Sequence, residues 1–213
     1  MISTGMTTRS ERIAAVVFAC IGVFALGLQY YLRLQEAQGV SWGLATLRYL
    51  SYFTIQANIL VVLMLFAFAF RPKIEEWTVH PFERSAIASY IAVVAYVYLR
   101  SPGPAAQGWQ LVADALLHYL MPLGYLAFWL FVMRKAGLRW YDPLLWLIYP
   151  AFFLAFVLLH GRFTGFYPYP FIDVAKLGYG PMVLNALAEA AGFLVAGYAI
   201  LIVSRLLAKR EPV

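Results

Sequence analysis

Apolar residues gather in six long runs, at about 13–34, 49–70, 83–100, 111–133, 143–159 and 181–204, with short polar or Gly/Pro-rich breaks between them. At 1.5 Å rise per residue most of these runs reach about 25–35 Å, the thickness of a bilayer's hydrocarbon. The pattern predicts an all-α membrane protein, a six-transmembrane-helix bundle forming a single integral membrane domain over residues 1–213. The third run is the shortest, apolar only from Ala86 to Leu99, which puts Glu83, Arg84 and Arg100 at the surfaces. Punctuation agrees with these limits. Pro72 follows the second run, and Ser101-Pro102-Gly103-Pro104 separates the third from the fourth. Asp142-Pro143 supplies an N-cap with proline at the first helical position, and Gly178-Tyr179-Gly180-Pro181 restarts the chain before the last run. Arg9 and Arg12 ahead of an apolar run resemble a signal peptide, but the run continues past Cys20 to Leu32 without a small-x-small cleavage site, so a retained first helix is expected.

The polar positions inside these runs are not scattered. The second run opens with Arg48-Tyr49-Leu50-Ser51-Tyr52-Phe53-Thr54-Ile55-Gln56-Ala57-Asn58. On a continuous helix Ser51, Thr54 and Asn58 fall within roughly 60° of one another, with Gln56 pointing elsewhere. Gln110, Asp114 and His118 are spaced by four on the fourth run, as are Asn185 and Glu189 on the sixth. These three runs cross in the same direction, which places all the stripes roughly 3–14 Å below one rim. Polar groups in hydrocarbon are costly unless partnered, so the stripes are expected to meet in a shared polar pocket. Each residue also has a plainer role. Ser and Thr bond back to their own helix, a lone His or Asn ties helices together, and Asp114 suits a helix start. Glu189 is hardest to dismiss, because an isolated carboxylate at that depth must pair or stay protonated. Pro122, four residues after His118, is expected to free the His118 carbonyl and kink the fourth helix, and Pro150 to bend the fifth. Ala188, Gly192 and Ala196 suit close helix packing in the sixth.

Composition sharpens the class. The chain is 63% hydrophobic and 12% charged, far from a soluble domain. Its one cysteine excludes an internal disulfide and a cysteine metal cage, and no motif implies a cofactor. The net charge of +6 reflects loop asymmetry rather than nucleic-acid binding. Eleven of the sixteen Lys and Arg residues fall on the side that holds both termini and five on the other, which predicts cytoplasmic termini for a multi-pass protein of the cell's inner (plasma) membrane. Trp42 and Trp109 then fall in the outer aromatic belt, and Trp77, Trp129, Trp140 and Trp146 in the inner one. The aromatic 160–180 loop is either a cap on the outer end of the bundle or an interfacial segment, and Asp173 and Lys176 favour the cap if they pair with groups below.

The chemistry these residues offer is acyl transfer. Thr54 would be the nucleophile and His118 its base, with Asp114 orienting the imidazole and Asn58 or Asn185 donating to the oxyanion. Ser51 is the rival nucleophile. No Gly-x-Ser-x-Gly elbow or His-Glu-x-x-His motif is present. Three further readings stand beside a lipid ester hydrolase: a non-catalytic lipid- or solute-binding or proton-coupled transport protein with a site of Asp114, His118 and Glu189; a metal site on those same side chains; and a purely structural role.

The 48–58 segment, Ala113-Asp114-Ala115-Leu116-Leu117-His118 with Pro122, Asp142-Pro143, and Tyr167-Pro168-Tyr169-Pro170-Phe171-Ile172-Asp173-Val174 together resemble the bacterial Pr-six-Pr membrane proteins. More distantly, the chain is similar to the androgen-induced (androgen-dependent) six-helix membrane hydrolases of animals, some of which cleave fatty acid esters of hydroxy fatty acids with an intramembrane Thr and His. The resemblance implies a threonine-dependent hydrolase, with Tyr52-Phe53-Thr54 matching the family's Tyr-x-Thr and His118 its helix-borne His. Its expected partners are membrane lipids, with a fatty acyl ester entering from the outer leaflet.

Overall fold

The computed structural model describes residues 8–70, 80–100 and 106–208. The punctuation expected at Pro72 and at 101–104, the cations at 71, 73, 209 and 210, and Trp77 lie outside the described residues. Among the described residues the chain is helical, without strands. Six helical segments are long and apolar enough to cross a membrane: Arg9–Glu36, Phe53–Phe70, Pro81–Arg100, Gly108–Phe131, Asp142–Thr164 and Tyr179–Ala208. By element these are α1 (Arg9–Glu36), α3 (Phe53–Phe70), α4 (Pro81–Arg100), α5 (Gly108–Ala115) running through a π-helical turn Leu116–Leu120 into α6 (Met121–Phe131), α7 (Asp142–Trp146) with α8 (Ile148–Thr164), and α10 (Tyr179–Ala208). Two short helices, α2 (Trp42–Leu50) and α9 (Val174–Leu177), lie between them.

The helix ends follow their local chemistry. Thr8 and Glu11 form a reciprocal capping box that starts α1. Gly165, in the left-handed region at φ 69°, stops α8. Pro181 sits in the first turn of α10, where its missing N–H costs nothing. Asp142 is not the expected N-cap. It is the first residue of α7, and its buried carboxylate reaches back to accept the Arg139 N–H at 2.8 Å.

Interior prolines leave two carbonyls without a helical donor, and side chains from other helices supply it. Pro150 frees the Trp146 carbonyl, the α7–α8 break falls at Leu147, and the Tyr90 hydroxyl donates to that carbonyl at 2.7 Å. On the fourth span the expectation needs correcting. The π-turn shifts the register to i+5, with the Met121 N–H on the Leu116 carbonyl, so Pro122 orphans Leu117 rather than His118. Asn58 donates to the Leu117 carbonyl at 3.2 Å.

The core lies where α3 and α4 pack against α1, α6 and α10. α1 meets α3 along the small, buried residues Ala15, Ala19, Gly22 and Ala25. Helix surfaces this smooth approach closely, which drives association where lipid is as apolar as the side chains. The expected packing stripe on α10 is different: Gly192 has open space beside it, and Gly197 makes the close approach, to Pro143 and Trp146. Trp129 and Trp146 are buried in the core instead of belting the interface, with the Trp129 indole donating to Ser85. Arg84, expected at the surface, is buried as well.

A methyl group on Gly22 would meet Val62 at 2.5 Å and Met121 at 2.7 Å. Gly22→Val should therefore lower stability by about 1–3 kcal/mol, read as a fall in thermal unfolding temperature in detergent. Gly27→Ala, at a position open to its surroundings, should leave it unchanged.

Candidate functional site

The predicted second span is two helices. α2 ends at Leu50, Ser51 and Tyr52 form a turn, and α3 begins at Phe53. The break overturns the single 60° arc expected of Ser51, Thr54 and Asn58. Ser51 belongs to the end of α2, and the other two belong to a new helix. A break at this depth frees backbone groups, and side chains take them up. The Ser51 hydroxyl lies 2.8 Å from the Leu47 carbonyl. Gln56 donates to the Leu50 carbonyl at 2.7 Å and accepts the Tyr149 hydroxyl at 2.7 Å, tying the break to α8. The Tyr169 hydroxyl accepts the Phe53 N–H at 2.8 Å and lies beside Thr54.

Ser51, fully buried, has a second neighbour: its Oγ is 3.0 Å from Nδ1 of His160. α8 continues through His160 to Thr164, so this histidine, expected in the outer loop, is a helix residue directed at the break. Only the hydroxyl can donate to the Leu47 carbonyl. While it does so, Nδ1 carries the proton and donates to Oγ; when the hydroxyl turns, it donates to Nδ1. The other ring nitrogen, Nε2, is buried and meets no partner among the described residues. The imidazole stacks on Phe156 and takes the edge of Phe166.

Phe166 belongs to the segment after Gly165, which caps this end of the bundle. Ile172 is buried, Tyr52 packs against Phe166 and Tyr169, and Asn185 donates to the Phe171 carbonyl at 2.8 Å. Asp173 and Lys176 do not reach below the cap. They pair with each other at 3.2 Å, and Asp173 caps α9.

The remaining predicted residues fall into separate groups. Asn58, fully buried, gives its amide hydrogens to the Thr54 and Leu117 carbonyls, which leaves neither for an oxyanion. Gln110 bridges the Asp114 carboxylate at 2.9 Å and the buried Gln29 of α1 at 3.0 Å. His118 lies 3.1 Å from the Asp114 backbone carbonyl; a carbonyl only accepts, so Nδ1 carries the proton, and the Asp114 carboxylate does not orient this ring. Its face stacks on Tyr98, with centroids 3.9 Å apart. No hydrogen bond joins Thr54 to His118 among the described residues. Half-buried Glu189 forms no hydrogen bond or ion pair with a described residue. No group of three or more His, Cys, Asp or Glu among the described residues is placed to hold a metal ion.

Sequence reasoning missed His160, Gln29 and Tyr169. Gly165 was the available signal for His160. A C-terminal stop glycine five residues later extends the helix across it.

Comparison of the chain with protein-family models, with curated proteins and with solved structures finds no match in any of the three.

Burial pushes the Tyr169 hydroxyl from its ordinary 10.0 up to about 12, against the opposing effect of the Phe53 N–H. The folded chain keeps this proton where the unfolded chain releases it. The stabilisation is therefore whole below about pH 10 and is lost as pH rises from about 10 to about 12. Tyr169→Phe should remove that alkaline loss. It should also cost about 1–3 kcal/mol at neutral pH by leaving the Phe53 N–H unpaired, as measured by unfolding across the alkaline range.

Proposed function

We propose that this multi-pass membrane protein is an intramembrane lipid ester hydrolase in which Ser51 is the nucleophile and His160 its base. The observation that carries the reading is the 3.0 Å contact between a hydroxyl and an imidazole inside the bundle, which is the pair nucleophilic acyl transfer requires. Thr54 and His118, the pair implied by family resemblance, share no hydrogen bond: Thr54 lies beside the Tyr169 hydroxyl, and His118 meets the Asp114 carbonyl and the Tyr98 ring.

In this reading the Ser51 proton turns from the Leu47 carbonyl to Nδ1 as Oγ attacks the acyl carbonyl. The imidazolium then returns the proton to the departing alkoxide, and water repeats the sequence on the acyl-serine, releasing the acid. Developing negative charge has a natural place at the N-terminus of α3, which starts two residues after Ser51. The Phe53 N–H, taken by the Tyr169 oxygen while the cap is closed, is released as a donor for the oxyanion when the cap lifts. The substrate enters when the 165–173 cap lifts, because Phe166 covers the imidazole. The Lys and Arg asymmetry supports an orientation with this end in the outer leaflet and the termini in the cytoplasm.

One observation favours the second reading, a non-catalytic lipid-binding protein: Ser51 is fully enclosed in this conformation. A fluorophosphonate probe separates the two. The purified protein should be labelled, Ser51→Ala should abolish labelling, and His160→Ala should slow ester turnover about 10²–10⁴-fold. Thr54→Ala and His118→Ala should still be labelled. Undiminished labelling of a folded Ser51→Ala protein would refute the assignment.

A further inference from the structure

A cleft of about 200 Å³ opens at the same end of the bundle, between the C-terminal end of α1, α2 and the cap. Arg33, Glu36, Arg48, Tyr49, Tyr52 and Phe166 line it. Its two guanidinium groups are not equivalent. Arg33 is paired with Glu36 at 2.7 Å, in the exposed part of the cleft, and lies over the Tyr52 ring. Arg48 lies over the Phe166 ring at 5.1 Å, and its guanidinium hydrogen-bonds to no described residue. Its Nε is buried and without a partner. Two cations and one carboxylate leave the cleft with a net charge of +1.

An unpaired buried guanidinium N–H carries a desolvation penalty that an incoming oxyanion removes, and the planar fork of arginine suits phosphate. Arg33 and Arg48 are held over aromatic faces, so part of the ordering cost is met before a ligand arrives. The surroundings identify the source of the oxyanion. Trp42, at the start of α2, is 77% exposed, and Tyr31, on the last turns of α1, a helix long and apolar enough to cross a membrane, is 58% exposed. Such amphipathic aromatics sit at the headgroup level of a bilayer.

We propose that the Arg33–Arg48 cleft binds the phosphodiester of an anionic phospholipid, with Arg48 as its principal ligand and Glu36 as a competitor that holds Arg33 back. The net charge of the cleft matches a headgroup of single negative charge. The proposal is separate from the acyl transfer described above: Arg33, Glu36 and Arg48 take no part in that chemistry, and the cleft shares only Phe166 with the cap over His160.

The test is lipid-dependent thermal stabilisation of the full chain in detergent, titrated separately with phosphatidylglycerol, diacylglycerol and inorganic phosphate. Phosphatidylglycerol should raise the unfolding temperature saturably, and the other two should not. Arg48→Gln should weaken that binding about tenfold or more, with Arg48→Lys between it and the wild type. Glu36→Gln, at an exposed position that folding tolerates, should free Arg33 and tighten binding. Equal stabilisation by diacylglycerol would overturn the proposal, since the phosphate would then contribute nothing. Equal stabilisation by inorganic phosphate would make this a site for a free anion. Unchanged affinity in both Arg48→Gln and Glu36→Gln would remove the cleft from the account. Ser51→Ala should bind phosphatidylglycerol like the wild type, which keeps the failure of one proposal separate from the failure of the other.

Discussion

A backbone break in apolar surroundings must have its freed N–H and C=O groups hydrogen-bonded, and this requirement organises one whole end of the molecule. The break at Ser51-Tyr52 lies between two helices that a membrane protein would ordinarily run as one. Ser51 is fully buried in this conformation, so protein groups rather than solvent must satisfy the loose ends, and each unsatisfied group costs several kcal/mol, by order of magnitude about what a small domain can spare. Ser51, Gln56 and Tyr169 answer that demand from three directions. Because their own second partners lie on α8 and in the cap, satisfying the break also fixes where α8 and the cap sit.

The same rule recurs at both interior prolines. Asn58 serves the Leu117 carbonyl and Tyr90 serves that of Trp146, each from a neighbouring helix. Polar side chains in this bundle are therefore first of all donors and acceptors for interrupted backbone. What distinguishes Ser51 is that the obligation to Leu47 leaves its oxygen free to meet a histidine as well. A residue placed for structural reasons thereby stands in the geometry that acyl transfer uses, ahead of a helix N-terminus whose dipole suits negative charge.

The helices themselves were legible in the sequence, because a span must be apolar over its whole length and proline, glycine and charge mark its limits. The break was not. Arg48 to Asn58 contains neither proline nor glycine, so nothing local marks it except the density of hydrogen-bonding side chains that later prove to bridge it. Reading the segment as one helix put Ser51 and Thr54 on a common face, and the pairing of Thr54 with His118 assumed that this stripe and that of the fourth span meet in one pocket. His160 was hidden because the fifth apolar run ends at about 159, yet the helix runs on to Thr164, with Gly161 making room for the Tyr167 ring. The stripe Gln110, Asp114, His118 was correctly placed on one helix, but spacing alone gave no sign that its partners would be Gln29 and Tyr98 rather than α3.

The central claim is that the break faces α8, so that Ser51 meets His160, while Thr54 and His118 share no hydrogen bond. Oxidative crosslinking of cysteine pairs in the membrane, in a background where the single native Cys20 is replaced by serine, reads this directly. The structure predicts that Ser51→Cys with His160→Cys crosslinks more readily than Thr54→Cys with His118→Cys. Ready crosslinking of the 54–118 pair, with the 51–160 pair inert, would contradict it.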